Sequence, residues 1–505
     1  MSSVLCAHFD TPEGRWTLVS EFTTEDAANQ FVPHIGQRLG GDDLSVGASV
    51  EPRPPTPPSS VSAKFNASST LMVSGGLMFG DSAPVASGVK AHGLANRPTH
   101  VMMFQAEPES QSEPEPLAKS KPHGKGLVTK STSSFVARII TNENLARWIV
   151  DSRTTYILFN APKCFNVVGM QPDNRGETLA RLDMSLASPT CYDVNSGTRL
   201  DVVMGFVRGN IVWYEPVSGK YARLNKNSGY VPSVMCVRWL PNSSTLFMVG
   251  MADGAVMVMD RTKDEFVVPP MPHSPVFACA ETRPKTNPVS YWRVSNKPIT
   301  SIEFSPDARH VAVTSEDGSL RIIDYMEESL CDVYESYFGG LTCCAWSKDQ
   351  KYVVTGGKDD LITVWSYYDK TVVARGQGHK SWVRNVAFDS MHCGATYRFF
   401  SVGDDARLLM WDLSLSALHR PRVHTSRVAA SPTNTGTHSR VPGQSREPTV
   451  HARMPKGSVA VLQPLVAEAI HDAPLCSLSL SQDLLVTACR KGVIKVWKRP
   501  TPYLS

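Results

Sequence analysis

The sequence predicts an all-β fold, a ring of seven four-stranded sheets set like the blades of a propeller, and three observations predict it. From about residue 133 onward the chain reads as short apolar runs punctuated by turn residues, without a helical period. A unit of roughly 40 to 45 residues recurs, which is the period of a radial β-repeat. Each unit has a strand, a tight polar turn and a second strand that ends on Trp or on a residue standing in its place.

The units follow in order. NLARWIVDSRTTYILFN at 144–160 is the most diverged. RLDVVMGFVRGNIVWYEP at 199–216, STLFMVGMADGAVMVMDR at 244–261 and ARHVAVTSEDGSLRIIDY at 308–325 put Tyr214, Met259 and Ile323 in the terminal place. KYVVTGGKDDLITVWSY at 351–367, YRFFSVGDDARLLMWDL at 397–413 and DLLVTACRKGVIKVWKR at 483–499 are the clearest copies, ending on Trp365, Trp411 and Trp497. Seven such units close a seven-bladed WD-repeat β-propeller.

Two spacings are stretched, Met259 to Ile323 by a loop around 264–295 and Trp411 to Trp497 by a tract at 418–457. Both read as insertions between blades, tolerated because loops project from the faces while the strands hold the ring. PEGRWTLVSEF at 12–22 alternates like a strand and reads as completing the last blade. The expected organisation is therefore an N-terminal segment over 1–40 that carries this strand, and a mostly disordered linker over 41–132 containing EPRPPTPPSS and AEPESQSEPEPLAKSKPHGKG. Blades one to six occupy 133–417, a disordered basic Ser/Thr/Pro insertion 418–457, and the last blade 458–505.

Composition narrows the function. Of the 505 residues 42% are hydrophobic, enough for a large core, and a net charge of +4 is too small over this length to imply a nucleic-acid or membrane surface. No apolar run reaches the roughly 18 residues of a membrane span, and the opening MSSVLCAHFDTPEG lacks the basic-then-apolar order of an export signal. Asn66 and Asn242 then fit the glycosylation pattern by chance. The eleven cysteines lack C-x-x-C spacing, and Cys343 and Cys344 adjoin on opposite faces of a strand, so no metal and no cofactor are expected. The expected setting is intracellular, in the cytoplasm with the nucleus as a second compartment. No phosphate loop, H-E-x-x-H or G-x-S-x-G elbow occurs, and a non-enzymatic role follows.

His379, Ser401 and Asp405 are the residue types of nucleophilic catalysis. Together with Trp411 they also occupy the loop, strand, turn and terminal places of one unit, which points to a buried structural hydrogen-bonded chain. The preceding unit repeats Thr355, Asp359 and Trp365 but has Tyr337 where His would stand, and a catalytic set would not be half-duplicated. The insertion carries Arg420, Arg422, Arg427, Arg440, Arg446, Arg453 and Lys456 against Glu447 alone, which reads as a solvated loop with RNA, acidic protein or a kinase as alternative contacts. Phe338 and Trp382 fall at the crossovers into blades five and six, flanked by Tyr337, Lys380 and Ser381. From spacing alone they are either exposed binding anchors or rings folded over the blade edge.

SYFGGLTCCAWSKDQKYVVTGGKDDLITVWSYYDKTVVARGQGHKSWVRNVAFD at 336–389 resembles the WD-repeat family of fungal catabolite-repression CreC and the animal dystrophia-myotonica WD protein. TYRFFSVGDDARLLMWDL at 396–413, PTCYDVN at 189–195 and VTACRKGVIKVWKRP at 486–500 are similar as well, so the resemblance spans about 189–500 and thins to PEGRWTLVSE before that. It implies a scaffold that binds and stimulates a ubiquitin-specific cysteine protease, in company with a second WD-repeat protein, and presents Phe338 and Trp382 to the protease. The competing expectations are a substrate receptor of a cullin-type ubiquitin ligase and a general interaction scaffold. Such receptors usually carry W-D-x-R after a blade, whereas Trp411-Asp412-Leu413-Ser414 lacks the Arg.

Overall fold

The computed structural model describes residues 7–24, 100–105, 127–130, 135–150, 155–171, 174–185, 188–195, 197, 200–226, 232–270, 277–414, 418 and 448–500. They form seven sheets of four to six strands. The innermost strands Pro189–Val194, Val234–Trp239, Ile299–Phe304, Leu341–Trp346, Val383–Phe388, Leu475–Leu480 and Val101–Gln105 touch in turn, and the ring closes where Thr155–Ala161 of the same sheet as Val101–Gln105 meets Pro189–Val194. Among the described residues no helix is long and apolar enough to cross a membrane.

Each blade is packed on both faces by its neighbours, which is why its middle strands are buried throughout rather than alternating. Tyr352–Gly357 of blade five and Tyr397–Gly403 of blade six are buried along their whole length. The interiors lie between blades: Val354, Ile362 and Val364 of blade five pack with Val386, Phe399 and Trp411 of blade six. The innermost strands of blades three to seven share one irregularity near their start, a register shift at Val234/Cys236, Ile299/Ser301, Leu341/Cys343, Val383/Asn385 and Leu475/Ser477. A bulge re-aims the skipped residue. In blade five that residue is Thr342, whose hydroxyl donates to Val383 O of blade six at 2.6 Å.

The expected insertions do not lie between blades. The loop after Met259 falls inside blade three, whose outer strands Ser290–Arg293 and Ala278–Ala280 follow it. The 418–457 tract falls inside blade six, whose fourth strand is Val466–Ala469, so the last blade begins later than residue 458. The physical reason is that an outermost strand pairs on one edge only, and a distant segment can deliver it without disturbing the inner three. Three short strands also arise inside segments expected to lack structure: Val101–Gln105 and Leu127–Lys130 within 41–132, both in blade one, and Thr449–His451 within 418–457. Blade one further contains a short helix, Leu145–Val150, where the diverged first unit predicts β, and its hairpin is Thr155–Ala161 with Cys164–Gly169.

Gly14–Thr23 pairs antiparallel with Val493–Lys498, so an early segment supplies the fourth strand of blade seven and His8–Thr11 borders it. Trp16 is fully buried there, stacked on Phe9 at 5.8 Å, and Phe9 meets Trp497 edge-on at 5.3 Å.

Candidate functional site

Blade six brings His379, Ser401, Asp405 and Trp411 together. The Trp411 indole donates to Ser401 Oγ at 2.8 Å, Ser401 Oγ lies 2.8 Å from His379 Nε2, and His379 Nδ1 lies 3.0 Å from Asp405 Oδ2. An indole can only donate and a carboxylate can only accept, so in a neutral imidazole the Ser401 hydroxyl donates to Nε2 and Nδ1–H to Asp405. Burial pushes the Asp405 carboxyl up, but the hydrogen bond and charge of His379, with the Lys380 and Arg407 amides, outweigh it and hold the group below its usual value. The pair is sealed from solvent and closely packed: the His379 side chain is fully buried, and a Cβ added at Gly403 would sit 2.9 Å from its Nδ1 and 3.0 Å from Asp405 Oδ1.

The turn aspartates also set the crossover loops. Lys380 N donates to Asp405 Oδ2 at 2.9 Å, and the Phe338 amide donates to Asp359, its counterpart in blade five. Burial raises the Asp359 carboxyl, and the amides of Leu361, Asp359 itself and Phe338 partly counter it. Phe338 is thereby held on a tight loop. Gly339 has φ +67, which only glycine adopts without strain, and Ser336 Oγ donates to Gly339 O at 3.0 Å. Phe338 is 68% exposed and Trp382 41% exposed, so neither is sealed over a blade edge. Lys380 is exposed as well, while Tyr337 and Ser381 are half-buried.

The Trp382 ring lies between two cations that sequence spacing did not suggest. Lys358 Nζ sits 4.9 Å from its centroid and the Arg384 guanidinium 5.0 Å. Lys358 is paired to Glu316 at 2.8 Å, and Arg384 forks onto Asp404, which also holds Arg490 at 3.0 Å. Arg384 is the residue skipped by the blade-six bulge, which is what turns it toward the tryptophan. The result is a face spanning blades four to seven with two exposed aromatic rings in a lattice of paired charges. Such a face can bury rings in a partner and align opposite charges.

Blade seven carries a constellation that the unit-by-unit reading missed. His471 Nε2 lies 2.9 Å from Thr487 Oγ1, to which the Trp497 indole donates at 3.1 Å. The signal was present, since His471 stands four residues before Leu475 as His379 does before Val383. Among the described residues no group of three or more His, Cys, Asp or Glu is placed to hold a metal ion, and the described cysteines are free thiols.

With this geometry, similarity to known proteins becomes informative. Residues 287–324 and 329–366 match the family described as WD domain, G-beta repeat. The UBP9-binding protein bun62 of Schizosaccharomyces pombe is 32% identical over 410 residues, covering 73% of this chain and 76% of that protein. A chain in the crystal structure of the mitotic checkpoint complex matches with a TM-score of 0.48 at 13% identity, covering 78% of this chain and 98% of that one, a likeness too remote to bear on function.

Proposed function

Because the chain belongs to the WD-repeat family that includes the UBP9-binding protein bun62, we propose that it is a non-catalytic scaffold that binds a ubiquitin-specific cysteine protease and raises its activity. The observation that carries the docking site is the pair of exposed rings, Phe338 and Trp382, on adjacent crossovers of one face. Tyr337, Lys380 and Ser381 border them, and Lys358 and Arg384 extend the polar rim. A buried aromatic anchor ringed by polar groups is the usual composition of a binding hot spot.

Activation requires a difference in affinity. A scaffold that bound active and inactive protease equally would shift nothing, so the face must fit the active arrangement better. Docking beside the protease, away from its catalytic cysteine, and stiffening its active-site loops satisfies that condition. A second WD-repeat protein as a further member of the complex belongs to the same proposal and rests on the family resemblance.

The test is affinity purification of the wild-type chain, followed by Phe338→Ala and Trp382→Ala with the protease that is recovered. Each substitution is expected to weaken binding by about 2 kcal/mol, roughly thirtyfold, with the circular dichroism of the fold unchanged. Recovery of a cullin adaptor in place of a protease, or full-strength binding by both variants, would defeat the proposal.

A further inference from the structure

The limb of the insertion that returns to the ring crosses the outer edges of three blades. Thr449–His451 pairs in parallel with Ser329–Glu335 of blade four, Ala460–Leu462 pairs in parallel with Thr371–Gln377 of blade five, and Val466–Ala469 completes blade six. It is fastened at its start: the His451 ring stacks on Tyr334 at 4.4 Å, and its Nε2 lies 2.9 Å from Asp332, which Lys370 also holds at 2.7 Å.

Between its first two strands this limb meets a single buried cation. Arg375 is 3% exposed, and its Nη2 donates to Met454 O at 2.8 Å and its Nη1 to Pro455 O at 3.4 Å. The other side of the guanidinium lies over the Tyr337 ring, 4.8 Å from its centroid. Asp359, whose carboxylate takes the Phe338 amide, attracts the same cation. One planar group thus touches the insertion on one side and the residue next to Phe338 on the other. A buried guanidinium stripped of two carbonyl acceptors is costly and must seek others. Its Nε is already buried without a hydrogen-bond partner, so loss of the two carbonyls leaves the group unsatisfied beside the Tyr337 ring.

We infer that Arg375 is a positioning residue that couples the returning limb of the 418–457 insertion to the Phe338 loop, so that seating of the limb sets how the docking ring is presented. The inference rests on the docking role proposed above for its binding consequence, but not for its structural one. Binding strength is then adjustable from the far side of the blade, by anything that loosens residues 449–462, without a change on the docking face.

The experiment uses the full chain. Val461→Pro breaks the parallel ladder at an exposed side chain, since Val461 pairs with Arg375 itself; Arg375→Met removes the guanidinium, and Arg375→Lys keeps the charge but cannot both stack and span two carbonyls. Hydrogen exchange at the Phe338, Gly339 and Gly340 amides is expected to quicken about tenfold or more in Val461→Pro and Arg375→Met, and less in Arg375→Lys, while exchange in blades one and two stays as in the wild type. Binding to the recovered ubiquitin-specific protease is expected to weaken about tenfold in Val461→Pro, but not further when Phe338→Ala is already present. Wild-type exchange in the Phe338 loop once exchange at Ala460–Leu462 shows the limb released, or an undiminished loss in the Phe338→Ala background, would overturn it. If Phe338→Ala alone leaves binding intact, the docking proposal fails while the exchange measurement still decides the coupling.

Discussion

Blades six and seven both place a histidine and a hydroxyl side chain, Ser401 or Thr487, under their terminal tryptophans and differ at the turn position. In blade six the imidazole Nδ1 faces Asp405; in blade seven the corresponding turn position is Lys491, which points to Asp472 instead, and His471 Nδ1 is buried without a hydrogen-bond partner. Burial first, and the charge of Lys495 second, lower the His471 pKa to about 3. A hydrogen-bonded chain ending in a carboxylate is closed and rigid, whereas one ending in an open nitrogen costs stability and becomes sensitive to acid. The face proposed for docking draws on two of these turn aspartates, since Asp359 and Asp405 hold the loops bearing Phe338 and Lys380.

Breaking the closed chain should have the largest effect. Asp405→Ala strands His379 Nδ1–H and the Lys380 amide inside blade six, and is expected to destabilise the fold by about 3 kcal/mol, read by urea denaturation. The open chain should reveal itself in acid. The folded-state pKa of His471 lies below its unfolded value of 6.5, so the stability it contributes is complete above about 6.5 and is lost as pH falls toward 3. Between those limits wild type should lose about 1.4 kcal/mol per pH unit more than His471→Gln, in denaturation curves recorded from pH 7 to 5. The smallest effect sharpens the contrast: Lys491→Asp should supply the missing acceptor, raise the His471 pKa in an imidazole NMR titration and add about 1 kcal/mol of stability. A His471 titration unmoved by that substitution would mean that the turn position does not reach the ring.

The repeat was legible because Trp365, Trp411 and Trp497 recur at a fixed distance from their turns, a one-dimensional signal that survives without coordinates. The tetrad of blade six followed from the same spacing. The edges of the blades were not legible, since an outer strand such as Val466–Ala469 or Thr449–His451 is short, half-exposed and joined to its sheet across a long detour. Its residues carry little of the apolar pattern that marks inner strands. Trp382 was identifiable as an aromatic at a crossover, but its cations come from other places: Lys358 from the blade-five turn, and Arg384 through a bulge that alternation alone would have pointed inward. Arg375 was invisible for the same reason, because both of its acceptors lie about eighty positions away.

The pairing of Gly14–Thr23 with Val493–Lys498 orders events on the ribosome. Gly14–Thr23 is made long before its partner strand, so Trp16 stays without its buried setting until Val493–Lys498 has emerged. Until then the nascent chain exposes an unpaired strand edge that calls for shielding, and loss of Val493–Lys498 would strip Gly14–Thr23 of its partner and leave Leu484–Cys489 with an open edge at once.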